Sequence, residues 1–411
     1  MPKRTSDFGQ ASKERGGRRI AGDWHLLDVN SIWVKEFAAA LSQQVNLQSW
    51  SPVTRNAGFL EEWQSTETLL NPPLTMTRFP VQRCWTRFPL DRMLPTARKI
   101  SEILEARTIS QESVLICTTP FYAPVAELWP GDVLYYLTDL TAAYPNMNPA
   151  KIMKLDRRMC KAACAVFPAS VRIANYLSRQ GCPDRKITII PNATRAKNLL
   201  HAPLIRPLEL PSDLADLPRP IAGILGNLAG NMDWILLREA IERTPDISWA
   251  FVGPTDMAIP DAIQRNARND VMRFGSRVRF VGSKPYGSLV DYARSFDVAI
   301  LPYLKQEPNF SGTSTRFYEH LAACRPILAT RAVDELLQKE PLLKLVDTPA
   351  EIASCVERLK ISEFRDGFEN LRWKVSRGEI WEERAKAMVR AVAQPEAESS
   401  PTFELSAASR S

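Results

Sequence analysis

From residue 24 onward, short apolar runs alternate with stretches of helical periodicity, and the alternation breaks once, near the middle of the chain. Residues 201–220 (HAPLIRPLELPSDLADLPRP) hold five prolines in 20 positions. Proline has no N–H and a fixed φ, so it suits neither helix interiors nor central strands. The 411 residues also exceed what one ordinary core organises. The chain therefore reads as two α/β units with parallel sheets, joined by a linker at 201–219.

In the first unit the sequence predicts strands at 24–29, 45–50, 113–118, 133–137, 165–168 and 187–191. Helices are predicted at 32–41, capped by Ser31, at 151–163, and at 171–179, capped by Ser170 and ended by Gly181. The second unit restarts with strands at 220–225, 249–252, 278–281, 298–302 and 326–329. Its predicted helices lie at 235–243, 288–295 and 314–323. The polar stretches 1–21 and 396–411 read as disordered tails. Ligands of open parallel sheets bind outside the carboxyl ends of strands, so both units present loops to one cleft.

Charge narrows the partners. The chain carries 53 basic and 46 acidic residues, a net +7. Residues 1–19 contribute six basic and two acidic side chains, or +4, leaving +3 for the remainder. That balance argues against a nucleic-acid binder and fits a tail in weak contact with an anionic lipid surface. No apolar run approaches the roughly 18 residues of a membrane span, and no apolar stretch follows the basic N-terminus as in a secretory signal. The expected setting is the cytoplasm or the inner face of its membrane. The chain has no CxxC pair and only three histidines, so no metal site is expected. Cys160 and Cys164 read as small buried residues. A basic-aromatic stretch (Arg78, Arg83, Trp85, Arg87, Phe88, Arg92) faces a membrane, holds single-stranded nucleic acid, or packs its aromatics inward.

The strongest chemical signal is SGTSTRFYEHLAACRPILAT, residues 311–330, a hydroxyl-rich loop running into a helix. Free N–H groups and the positive helix end suit a diphosphate at Ser311, Gly312, Thr313, Ser314 and Thr315. Arg316 adds a full positive charge in the first turn, with no need of a divalent metal. Glu319, three residues on, shares its face and can accept from two vicinal ribose hydroxyls. A capped helix with an Arg–Glu surface pair has the same spacing. Asp139, after a buried strand, is a candidate general base for an acceptor hydroxyl, or a plain turn aspartate.

The segment Arg316-Phe317-Tyr318-Glu319-His320-Leu321-Ala322-Ala323-Cys324-Arg325-Pro326 resembles the donor-site signature of GT-B glycosyltransferases, particularly the family-4-like (group 1) branch. Cys324 stands where the branch has glycine. The first glutamate of its E-x7-E pair falls at Ser311, and Glu307 lies further upstream. Three other elements resemble the branch in order: Gly226-Asn227 to Asp233, Trp249 to Gly253-Pro254, and Val278 to Gly282 followed by Pro285-Tyr286. Pro191-Asn192-Ala193-Thr194 sits where the branch often has Pro-Asn-Gly, and Trp381-Glu382-Glu383-Arg384 resembles its terminal helix. Thr138-Asp139 is partly similar to the xanthan-type glucuronosyltransferases, where an aspartate acts as base.

The resemblance implies a GT-B fold with two Rossmann-like α/β/α domains facing a cleft. Residues 22–200 would bind acceptor and 220–375 the nucleotide sugar, with a helix in 376–395 crossing back to the first domain. It implies transfer of a sugar from a UDP- or GDP-sugar to a glycan or lipid-linked acceptor in polysaccharide synthesis, with no cofactor. The implied donor contacts are Gly226, Asn227, Gly253, Gly282, Tyr286, residues 311–316 and Glu319, with Asp139 and Arg316 catalytic. A nucleotide-sugar epimerase, or a binding protein that has lost catalysis, would share this architecture.

Overall fold

The computed structural model describes residues 22–55, 63–108 and 112–393. The expected tails at 1–21 and 396–411 lie outside the described residues. The first half contains strands β1 (Trp24–Leu27), β2 (Leu47–Arg55), β3 (Trp63–Glu67), β4 (Leu74–Gln82), β5 (Val114–Cys117), β6 (Asp132–Leu137) and β7 (Ala165–Pro168). Its helices are α1 (Ile32–Leu41), α2 (Leu90–Glu105), α3 (Ala123–Leu128), α4 (Pro149–Ala162) and α5 (Val171–Arg179). The seven strands are ordered β3-β4-β2-β1-β5-β6-β7, all parallel except β3 against β4.

The second half contains β8 (Ile221–Leu225), β9 (Ser248–Val252), β10 (Val278–Gly282), β11 (Val298–Leu301), β12 (Ile327–Thr330) and β13 (Lys344–Val346). Helices α6 (Trp234–Arg243), α7 (Ala262–Val271), α8 (Leu289–Ser295), α9 (Thr315–Ala323) and α10 (Pro349–Ile361) pack on this sheet, followed by α11 (Glu369–Ser376) and α12 (Trp381–Ala393). Its order, β10-β9-β8-β11-β12-β13, is wholly parallel. Strands buried on both faces read as continuous apolar runs, and all five residues of both β8 and β9 are buried.

Helix α12 leaves the second half and packs on α1 and β7. Trp381, 2% exposed, joins Phe37 and Tyr136 in the core under α1. Backbone bonds from Thr194 N to Glu379 O (3.0 Å) and from Trp381 N to Thr194 O (3.0 Å) fasten the crossing.

Several sequence expectations need correction. Residues 187–191 form no strand, only a single bridge from Ile187 to Val166, because Pro191 ends the run and the chain turns to the second half. Ser31 precedes α1 without a side-chain capping bond. The proline-rich stretch packs on the second half, where Leu214 and Leu217 are buried against β8 and α8. Trp85 is 3% exposed and Phe88 packs on the same core, so the aromatics of that stretch face inward. Arg83, Arg87 and Arg92 remain exposed.

Candidate functional site

The strand order of the second sheet reverses between β8 and β11, the position where an open parallel sheet leaves a crevice. Gly226 follows β8 with φ +91°, and a Cβ there would lie 2.5 Å from Nε of Arg316. Gly253, with φ +154°, would place a Cβ 1.9 Å from the carbonyl oxygen of Gly226. Only glycine permits these approaches. The ends of β8 and β9 thus press together and the Arg316 side chain lies across them. Gly253 N donates to the carbonyl of Gly282, closing the row at β10.

Helix α9 starts because the Ser314 hydroxyl accepts from Phe317 N at 3.1 Å, and Tyr303 binds that same hydroxyl at 2.7 Å. The N–H inventory of the preceding loop corrects the expected diphosphate cradle. Ser311 N donates to Glu307 Oε2 (3.2 Å), Gly312 N to the carbonyls of Pro308 and Asn309, and Ser314 N to Glu335 Oε2 (3.1 Å). Those three donors are spent inside the protein. The amides of Thr313, Thr315 and Arg316 carry no such bond among the described residues.

Arg316 is 9% exposed. Its Nη2 donates to the Asn227 carbonyl at 2.5 Å, and its guanidinium carbon lies 5.2 Å from the Tyr303 ring centroid. Its Nη1 is buried with no hydrogen-bond partner among the described residues. A buried cationic N–H left unpaired costs free energy and is a group an anion would satisfy. One turn on, burial and then the Arg316 charge push the fully buried His320 down to about 3, so it adds no charge.

Glu319 does not pair with Arg316, so the surface Arg–Glu pair is excluded. The Glu319 carboxylate is 3% exposed, and both of its oxygens are occupied. Tyr286 Oη donates to Oε1 at 2.8 Å and Asn198 Nδ2 to Oε2 at 2.9 Å. Burial pushes Glu319 up to about 7, partly offset by Tyr286 and Arg195. The open ribose acceptor expected at this position is, in this state, closed.

The first half meets this loop directly. The Ser170 hydroxyl donates to the Ser311 carbonyl at 2.6 Å, so the carboxyl ends of β7 and β11 face each other. Arg172 bonds Glu307 (2.8 Å) and Asp334 (2.9 Å), and Asn192 Nδ2 donates to the Thr313 carbonyl (3.1 Å). Asp139 lies two residues past the end of β6, with Thr138 Oγ1 donating to it at 3.3 Å. Burial raises its carboxyl above the usual range, against bonds from Thr138 and Tyr144. Its hydrogen bonds among the described residues stay in its own turn, and none joins it to Arg316.

Spacing hid three residues that shape this site. Tyr303 lies under Arg316, and Glu335 holds Ser314 N. Glu307, four residues before Ser311, wraps back so that its carboxylate accepts from both the amide and the hydroxyl of Ser311 (2.7 Å for the hydroxyl). By spacing Glu307 lies too far upstream to stand at position 311, and the turn between the two residues brings its carboxylate onto Ser311. Among the described residues no group of side chains is arranged to hold a metal ion, and no helix is long and apolar enough to cross a membrane.

No family model matches the chain. A Bacillus subtilis (strain 168) protein with the provisional name teichuronic acid biosynthesis glycosyltransferase TuaH is 21% identical over 294 residues, 69% of this chain and 72% of that protein. Sucrose-phosphate synthase from Thermosynechococcus elongatus superposes with a TM-score of 0.65 at 17% identity, covering 90% of this chain and 98% of that one. Anabaena HepE in complex with UDP and glucose gives a TM-score of 0.63 at 13% identity, over 90% and 98% of the two chains. A UDP-forming α,α-trehalose-phosphate synthase from Burkholderia xenovorans, in complex with glucose-6-phosphate, gives 0.62 at 11%, over 90% and 100%. Two doubly wound sheets meeting at their carboxyl edges, a closing helix that returns to the first, and these superpositions over nine-tenths of the chain together show that this protein has the GT-B fold.

Proposed function

We propose that the chain is a glycosyltransferase that takes a sugar from a nucleotide-sugar donor held on its second unit. The observation that carries this is the buried, unpartnered Nη1 of Arg316 at the N-terminus of α9, beside the glycine row that ends β8, β9 and β10. An anion there gains a charge-assisted bond from Arg316 and faces the free amides of Thr315 and Arg316. Anabaena HepE in complex with UDP and with UDP-glucose, and the UDP-forming trehalose-phosphate synthase, make a UDP-sugar the first donor to test and a GDP-sugar the second. Glu319, which Tyr286 reaches with its hydroxyl, marks the nucleoside end of the site.

In the reaction proposed, an acceptor hydroxyl oxygen bonds to the anomeric carbon. The anomeric C–O bond to the diphosphate breaks, and its electron pair leaves on the diphosphate. Arg316 and the helix end neutralise that charge, which is the work a divalent metal would otherwise do. The hydroxyl proton passes to Asp139, whose raised carboxyl makes it the stronger base. The acceptor is a glycan or lipid-linked glycan, in keeping with the teichuronic acid biosynthesis in the name of the Bacillus protein. The exposed Arg83, Arg87 and Arg92 sit past the carboxyl end of β4, on the acceptor side. They suit a phosphate-bearing carrier at the inner face of the cytoplasmic membrane.

The test is release of nucleoside diphosphate from UDP- and GDP-sugars in the presence of EDTA, with a polyprenyl-diphosphate-linked sugar as acceptor. Acceptor-dependent release that falls at least about 100-fold in Asp139→Asn supports the reading. Release that requires added divalent metal, or donor interconversion without transfer, contradicts it.

A further inference from the structure

Residues 192–198 (NATRAKN) belong to the first half of the chain yet lie across the nucleoside end of the proposed donor site. At one end Asn192 N bonds Thr313 Oγ1 (3.3 Å) and its side chain bonds the Thr313 carbonyl. At the other, Asn198 Nδ2 holds Glu319 and also donates to Thr194 Oγ1 at 3.1 Å. The Asn198 carbonyl accepts from Arg294 Nη2 at 2.8 Å. Between these ends the Arg195 guanidinium stacks 4.6 Å from the Tyr286 ring centroid and bonds the buried Glu36 of α1 through Nε at 2.7 Å.

Two buried polar atoms of this segment have no partner among the described residues: Asn192 Oδ1 and Arg195 Nη1. Asn192 and Arg195 are 5% and 6% exposed. Buried polar groups are ordinarily satisfied, so an orphaned acceptor and an orphaned donor on one short segment mark a surface that is complete only with something else present. The Glu319 carboxylate shows the complementary condition, with both oxygens already filled by Tyr286 and Asn198.

We propose, resting on the donor-site reading above, that residues 192–198 form a strap that closes the nucleoside end of the site. Asn198 and Tyr286 stand in on Glu319 for the two ribose hydroxyls. A nucleotide enters by displacing them, and the strap then re-forms over it with Asn192 and Arg195 turned to the bound molecule. Asn198 and Tyr286 are thus positioning residues that compete with the ligand. Because the strap belongs to the first half, donor entry and the approach of the two halves are one event.

Stopped-flow and calorimetric binding of UDP to the full chain tests this, with Asn198→Ala and Tyr286→Phe as independent variants. In wild type the observed association rate levels off at high UDP, because strap opening limits it. Each variant removes one stand-in, raises or abolishes that plateau, and tightens UDP about tenfold. Tyr286→Phe keeps the ring under Arg195, so it remains informative where Asn198→Ala does not fold. UDP binding with unchanged plateau and unchanged or weaker affinity in both variants overturns the strap and leaves the donor site standing. GDP replaces UDP where UDP does not bind, and failure of wild type and both variants to bind either nucleotide overturns the donor-site reading and the strap with it.

Discussion

At the scale of single residues, Cys324 makes the sharpest stability prediction. It ends α9 in the left-handed region at φ 60°, where an L residue costs about 1–2 kcal/mol and glycine little. Its side chain is also fully buried, and that burial is lost in Cys324→Gly. The two effects offset, so Cys324→Gly is expected within about 1 kcal/mol of wild type, whereas Cys324→Val loses at least about 2 kcal/mol. Urea unfolding midpoints check this, and equal midpoints for Gly and Val would refute it. The role of position 324 is legible in the sequence, since a helix followed by an Arg-Pro strand entry demands a tight stop there. The pairing of Arg316 with Tyr303 and Asn227 is not, because spacing reports which helix face a residue occupies and not what lies opposite.

At the scale of the element, α9 is a buried helix whose polar face is turned into the molecule. Burial raises Glu319 from its ordinary value near 4.5 to about 7. The folded state therefore holds the proton more tightly than the unfolded chain between those values. Stability contributed by this group is full below about pH 4.5 and is lost as pH rises through about 7. Glu319→Gln should flatten that fall in chemical denaturation measured across the window. The comparison with wild type isolates Glu319 from His320, whose depressed value acts in the opposite sense as pH falls below 6.5. A variant that retains the full fall would contradict the assignment. The core strands β8, β9, β10 and β11 are legible because each apolar run stops at glycine or proline. Strand β4 is obscured by Pro80, which lies beyond the residues paired with β3 and so removes no bond on that side.

At the scale of the whole molecule, two sheets are held as one body by α12 and by the seam around residues 170–198. Trp381→Ala empties a site in the core beneath α1 and is expected to cost about 3–5 kcal/mol, read by circular dichroism during denaturation. A loss under about 1 kcal/mol would mean that the returning helix does not hold the halves together. The alternation of strands with helices and the returning helix follow from sequence patterns and the quoted resemblance, although those patterns miss β3, β4, α2, α3 and α7. The seam does not, because its pairs are remote in the chain. Arg195 and Glu36 are 159 positions apart, and Asn198 and Glu319 are 121. Long-range polar pairs of this kind leave no periodic trace, and they are what closes Glu319 where an open site was expected.

In the proposed reaction Arg316 holds the diphosphate of the nucleotide donor. The direct measurement is calorimetric titration of UDP and GDP, with EDTA present, into wild type and Arg316→Ala. One nucleotide is expected to bind wild type without metal, and Arg316→Ala to weaken it at least about tenfold, the value of one lost charge-assisted bond. Undiminished binding in Arg316→Ala, or no binding of either nucleotide to wild type, would contradict that role.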